Sequence, residues 1–249
     1  MMRLLWTSAI AGLLAPLAGT LWLAFSPDPF FTLPVGDWSA RWFGQALAVE
    51  PWGRAFFRSL WMASVAGALA VALALPAAWA SRVGARSWLA VWMLPACLPQ
   101  VAWAMGLLPL AGLLPEFGRT GLLVAAQALL GFPVALLLIG LRMDNGLQLL
   151  LAAAADLGAR PVQAWLRVGL PRLIPAVAAA FLLAATLAFH EPVLCLFLCT
   201  PGQETVSALA WPTLRSSLTP VVAAVASLTM GLGLVAASFA LWVFGRRAG

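Results

Sequence analysis

Few residues in this chain are able to do chemistry, and two of them are adjacent. The single histidine, His190, precedes Glu191 in "AFHEPVL", inside an otherwise apolar run. An imidazole beside a carboxylate can relay a proton or meet a cation, and ionisable groups at membrane depth are functional candidates by default. Gln100 and Gln127 are polar residues in two further apolar runs, and they suit the neutral partners of such a path. Cys97, Cys195 and Cys199 are odd in number and lack metal-ligand spacing. They are therefore expected to be small buried hydrophobes, with no disulfide and no metal site. One His, no metal cluster and no nucleophile constellation leave no residue to assign a catalytic role.

The elements that would hold these groups are membrane helices. The chain of 249 residues is 63% hydrophobic and only 9% charged, against roughly 25% charged in soluble domains. Runs of about 20 apolar residues cross a bilayer. Six are readable, at roughly 4–25, 59–80, 88–112, 121–141, 173–191 and 220–244. The expectation is an all-α polytopic bundle of about six transmembrane helices, built as a single domain over residues 1–249. The first run is too long for a signal-peptide core, and no small-x-small site precedes "SPDPFF", so it reads as a retained helix.

All fourteen basic residues are arginine. No basic patch is interleaved with exposed aromatics, so nucleic acid is not an expected partner. The arginines report topology instead. With both termini cytoplasmic, Arg3, Arg82, Arg86, Arg142, Arg160, Arg167, Arg172, Arg246 and Arg247 lie inside. Arg41, Arg54, Arg58, Arg119 and Arg215 lie outside. That excess inside follows the positive-inside rule.

The outer loop after the first run carries Trp38, Trp42, Trp52, Phe56 and Phe57, which suit an interfacial aromatic belt. The second span is rich in Ala and Gly, which predicts close helix packing. Pro95, Pro99 and Pro109 kink the third, and a helix so broken can border a pathway.

The inner loop between spans four and five holds most of the remaining information. Leu147, Leu150, Leu151 and Ala154 recur at helical spacing up to Gly158, which can supply a positive-φ turn. Pro161 suits the first position of a second helix. On that helix Val162, Trp165 and Leu166 share one face, and Arg160, Gln163 and Arg167 the other. Pro171 is expected to end the helix and to bias Leu170 away from the helical region. A helix this short needs something to pack on, with lipid and a protein groove both open.

The run Ala153, Ala154, three residues, Gly158, nine residues, Val168, one residue, Leu170, Pro171 resembles the "EAA" loop of ABC importer permeases of the type I fold. The family's leading Glu is replaced by Ala152, and its Ile by Val168. Further segments, "LPACLPQVAWAMGLL" and "AFHEPVLCLFLCTPGQETVSALAWPTLRSS" among them, are similar to the spermidine/putrescine-type permeases over residues 55–245.

The resemblance implies a permease of a bacterial inner membrane whose loop, residues 142–172, forms a coupling helix. The residues it would place at an ATP-binding subunit are Ala152, Ala153, Ala154, Asp156, Gly158, Ala159, Arg160, Trp165, Arg167, Leu170 and Pro171. The implied partners are two ATP-binding cassette subunits, a second permease subunit, the same or related, and an extracytoplasmic solute-binding protein, with lipid around them. No cofactor is implied, since ATP is used by the partner, and the chain, having no lysine, has no P-loop of its own. Asp156, one turn beyond Ala152, is the candidate substitute for the missing Glu. In the polyamine-type pattern a carboxylate stands where this chain has His190, which lowers the negative charge of the path formed with Glu191, Gln100 and Gln127. A polyamine-like cation leads as solute. The alternative from another class is a proton-coupled secondary transporter using Glu191 and His190.

Overall fold

The computed structural model describes residues 2–29, 37–82, 89–216 and 219–245. Arg86, Arg246 and Arg247 of the inside set lie beyond these residues, as do the side chains of Arg3 and Arg82. All regular elements among the described residues are helical. Four helices are long and apolar enough to cross a membrane: Trp52–Ser81, Glu116–Arg142, Pro161–Phe189 and Pro220–Val243. A fifth span is available as the bent pair Ala90–Cys97 and Gln100–Leu113. The first expected span is the 23-residue helix α1 (Met2–Ala24), of which Leu14–Ala24 is a shorter apolar helix.

The chain packs as two compact units, Met1–Leu60 with Thr200–Leu232, and Trp61–Cys199 with Gly233–Gly249. Two of the three divisions fall within α3 (Trp52–Arg82) and α12 (Pro220–Gly245), and the third follows Cys199.

In the first unit α2 (Arg41–Ala48) packs Trp42 and Ala46 inward. The Trp42 Nε1 donates to the Ser26 carbonyl at 2.7 Å. Phe25 meets Phe43 and Trp38 at centroid distances of 5.1 and 5.8 Å. The aromatic belt is therefore divided: Trp42 and Phe56 are core residues, while Trp38 and Phe57 remain exposed. The indole N–H has found a buried acceptor, so the ring gains nothing by lying in an interface. Ser59 Oγ donates to the Ala55 carbonyl at 2.8 Å and accepts from Val206 N–H, also at 2.8 Å. It thereby ties α3 to the start of α11 (Val206–Ser216).

In the second unit small residues let backbones approach, as packing in lipid requires. Ala66, Ala70, Ala74 and Ala78 of α3 recur every four residues and are all buried. A Cβ on Gly67 would lie 2.9 Å from the Ala185 Cβ. Likewise, Gly131 of α6 (Glu116–Arg142) faces Ala184 of α9 (Leu170–Phe189). Phe132, Leu136, Ile139 and Leu173 fill the space around this seam. Arg142 donates to the Val243 carbonyl near the end of α12.

The third span is interrupted at one of its three prolines, while Pro95 and Pro109 lie inside helices. Between α4 (Leu89–Cys97) and α5 (Gln100–Leu113) the axis turns through 90°. Pro99 sits at the break, its carbonyl accepting from Ala102 N–H at 2.9 Å.

Candidate functional site

Two places in the second unit gather the residues singled out from the sequence, an exposed hairpin and a partly open cavity.

The hairpin begins at Asp144, whose side chain accepts from Leu147 N–H at 2.9 Å and caps α7 (Asn145–Asp156). The helix ends at Gly158, whose φ is +82°. Gly158 N–H donates to the Ala155 carbonyl at 2.8 Å, and Ala159 N–H to the Ala154 carbonyl at 3.0 Å. These two bonds form a Schellman turn, which satisfies the last carbonyls and needs a left-handed residue. The Ala-Ala-x3-Gly spacing therefore has a local cause. Pro161 then takes the first position of α8 (Pro161–Ala164), and the Gln163 side chain accepts from Arg160 N–H at 3.2 Å.

Pro171 does not end this helix. The chain continues through a π-helical turn, Trp165–Gly169, directly into α9, and Leu170 is helical at φ −62°, ψ −47°. A proline inside a helix clashes with the carbonyl four residues back. The wider turn, closed by Leu170 N–H on the Trp165 carbonyl, places Pro171 in the first turn of α9, where it needs no donor. The hairpin is thus the cap of a helical run that reaches Phe189.

Leu147 is buried, and Trp165 packs edge-on against Trp79 at 4.9 Å between centroids. Leu149, Leu157, Val162 and Leu166 are exposed at 71, 90, 67 and 55%. Ala152, Ala153, Asp156, Arg160, Arg167 and Pro171 are exposed too, and Ala154, Ala159 and Leu170 are half-buried. An apolar groove of about 680 Å³ runs between Trp79, Leu151, Trp165 and Leu166. Four large apolar side chains are thus exposed on one short hairpin.

The cavity, of about 240 Å³, is lined by Gln100, Gln127 and Glu191 among apolar neighbours such as Leu130, Val134 and Leu187. Three of the four predicted path residues thus meet in one place. Each is delivered by a break or a close seam: Gln100 opens α5 after the 90° turn, Gln127 lies near the middle of α6, and Glu191 follows the end of α9. Glu191 is 3% exposed. Its carboxylate accepts from Val193 N–H at 2.7 Å and from Leu194 N–H at 2.9 and 3.1 Å, capping α10 (Val193–Leu198). An anion at a helix N-terminus is stabilised by the free amides there. Gln127 Nε2 donates to the Ala188 carbonyl at 3.3 Å.

His190 does not join the other three. Its ring is exposed, its Nδ1 lies 2.8 Å from the Thr186 carbonyl, and it meets Phe189 edge-on. A pairing missed from the sequence lies one turn beyond: Cys195 and Cys199 form a disulfide, while Cys97 is free and exposed. Their spacing of four residues places both sulfurs on one helix face, a signal present in the sequence and set aside there because the cysteines sit in an apolar run. Among the described residues no cluster suits a metal ion.

The long apolar helices define a polytopic helical membrane protein. Over 251 aligned residues the chain is 28% identical to the putrescine transport system permease protein PotI of Escherichia coli K12, covering 95% of this chain and 87% of that protein. The PotI protein of E. coli O6:H1 matches to the same extent. No protein-family model matches the chain. The likeness, over 95% of the chain, bears out the resemblance to polyamine-type permeases drawn from the loop pattern and the further segments.

Proposed function

We propose that the chain is the membrane-spanning subunit of an ABC importer in which ATP hydrolysed on partner subunits moves a small organic cation inward. The observation that carries this reading is the hairpin. Its Schellman turn, Pro-started helix and exposed Leu157, Val162 and Leu166 present a rigid apolar knob. An ATP-binding subunit with a matching groove would bury it. Ala152, Ala153, Ala154, Asp156, Arg160 and Arg167 would frame that contact. Because the π-turn joins the hairpin to α9 without a break, a push on the knob travels as a rigid rod toward Phe189 and Glu191. This is the coupling such an importer needs.

The solute path is assigned to the cavity of Gln100, Gln127 and Glu191, with His190 at its approach. A path works by weak contact at several sites rather than by one tight one. A polyamine-like cation suits the Glu191 carboxylate and the likeness to a putrescine permease. The disulfide next to Thr200 fits an oxidising outer side for that end of α9, with the hairpin at the cytoplasmic end. A second permease chain and a solute-binding protein complete the assembly. No chemistry on the solute is proposed.

The test is capture and energetics together. A tagged chain expressed with its operon neighbours is expected to retain an ATP-binding subunit, and uptake is expected to stop when ATP is depleted under a maintained proton gradient. Uptake that persists on the gradient alone defeats the proposal in favour of a proton-coupled carrier.

A further inference from the structure

A further groove in the second unit shares no residue with the hairpin or with the polar cavity. It holds about 610 Å³ between α3 and α6, both long enough to cross a membrane. One wall is the helix face of Trp61, Val65 and Leu69, and the other includes Phe117, Gly121 and Val124. Trp61, Leu69 and Phe117 are 55, 42 and 87% exposed. Gly121 is exposed too, and a Cβ there would meet nothing within 4 Å, so its missing side chain leaves the groove open along α6.

The bulk of these walls says what kind of occupant fits. Helices that pack in lipid meet through small residues, which let backbones approach. That is how α3 packs on its other face, through the buried Ala66, Ala70, Ala74 and Ala78. Indole, leucine and phenylalanine side chains flanking a recess hold a second helix away and leave room for a flexible hydrocarbon chain.

The polar groups gather at one end of the groove. Glu116 is the first residue of α6, and the Thr120 hydroxyl donates to its carbonyl at 3.2 Å; the remaining lining is apolar or glycine. Arg119 neighbours Glu116 one turn on. Its Nε donates to the Leu114 carbonyl at 3.2 Å, and its other guanidinium N–H groups can meet a phosphate. On the topology that the arginines predict, both helices enter from the outer face. The polar end then lies at headgroup level, where aromatic rings such as those of Trp61 and Phe117 settle. A carboxylate beside a guanidinium is the complement of a headgroup that carries an ammonium beside a phosphate.

From this geometry we infer that the α3–α6 groove is a phospholipid site selective for a zwitterionic headgroup with a primary ammonium. An acyl chain lies along Trp61 and Leu69 and across Gly121, the ammonium donates to the Glu116 carboxylate, and the phosphate accepts from Arg119. An anionic headgroup sets its charge against Glu116, and a trimethylated one has no N–H to donate. The inference rests on the chain spanning the membrane and is independent of its being an importer subunit.

The full-length chain, purified in detergent and stripped of lipid, is offered phosphatidylethanolamine, phosphatidylcholine or phosphatidylglycerol with identical acyl chains. Bound lipid is counted by native mass spectrometry, and thermal stabilisation reports affinity. Phosphatidylethanolamine is expected to bind about tenfold tighter than either competitor, the size of one hydrogen bond to a charged group. Glu116→Ala is expected to abolish that preference and Glu116→Asp to keep it. Gly121→Leu puts a side chain into the groove and raises helix propensity. It is expected to lower occupancy by all three lipids while the lipid-free melting temperature does not fall. Equal affinity for the three lipids in the native chain overturns the inference, as does a preference that persists in Glu116→Ala. So does Gly121→Leu if it keeps full lipid occupancy, or if it instead breaks a dimer of the chain, which would make the groove a protein interface.

Discussion

A Cβ placed on Gly169 would lie 2.6 Å from Cε3 of Trp165. The indole therefore lies across the bare backbone of Gly169 within the π-turn, and it also meets Trp79 edge-to-face. Gly169→Ala must displace that ring, and overpacking of this kind costs about 1–3 kcal/mol. The expected result is a lower melting temperature and weaker capture of the ATP-binding subunit. Thermal melts of a double-mutant cycle check it: in a Trp165→Leu background, where the ring is gone, the same substitution should cost far less.

Gly158 differs from Gly169 in having open space, with nothing within 4 Å of where a Cβ would sit. Its requirement is conformational, because φ is +82°. Gly158→Ala should cost about 1–2 kcal/mol through left-handed strain alone, and Gly158→Asn less, since Asn tolerates that region. Both variants should keep the bundle folded and reduce capture in the order Ala before Asn. Equal capture by Ala and wild type would show that the Schellman turn is not what presents the knob.

The contrast between these two glycines marks how far the sequence could be read. Gly158 and Pro161 act through their own backbone, so spacing alone placed the turn and the second helix. The break at Pro99 was legible for the same reason. Pro171 was misread because its conflict with the carbonyl four residues back is resolved by a π-turn, an adjustment made by Gly169 and Trp165 packing that no local rule encodes. Gln100, Gln127 and Glu191 were recognised as polar residues in apolar spans, and the packing brought them into one cavity. His190, next in sequence to Glu191, turned outward because its Nδ1 found the Thr186 carbonyl. Chain adjacency at a helix end does not fix side-chain direction. Trp42 and Phe56 could not be told from interfacial aromatics until Ser26 supplied the indole's acceptor.

Ser59 joins two distant stretches through one oxygen, which donates to Ala55 and accepts from Val206. Ser59→Ala leaves the Val206 amide unpaired at a buried position. A loss of about 1–3 kcal/mol follows, seen as a lower melting temperature. Ser59→Thr keeps the hydroxyl and should recover part of it. Uptake per folded molecule should be unchanged, since Ser59 is not one of the residues of the hairpin or of the cavity lining.

The Cys195–Cys199 bond closes a loop of four residues in sequence separation. In the chain-entropy account a loop that short is stabilised by about 2 kcal/mol. Reductant should lower the melting temperature of the wild type accordingly. The double variant Cys195→Ala with Cys199→Ala should melt lower in air and be indifferent to reductant. Sensitivity to reductant that survives in the double variant would point to Cys97 instead.

Asp156 is the last residue of α7 and lies exposed, four residues after the exposed Ala152, so the two share one helix face. A carboxylate at a helix C-terminus opposes the macrodipole and costs about 0.3–1 kcal/mol. A purely structural account therefore favours its removal: Asp156→Lys should raise the stability of the hairpin. If Asp156 stands in for the family's glutamate, the same substitution should lower capture of the ATP-binding subunit. The two readouts then move in opposite directions. Ala152→Glu should restore capture in an Asp156→Ala background by returning a carboxylate to that face one turn earlier, where it no longer faces the end of the dipole. Capture and uptake unchanged in Asp156→Lys would remove Asp156 from the contact and leave the exposed apolar residues of the hairpin to make it unaided.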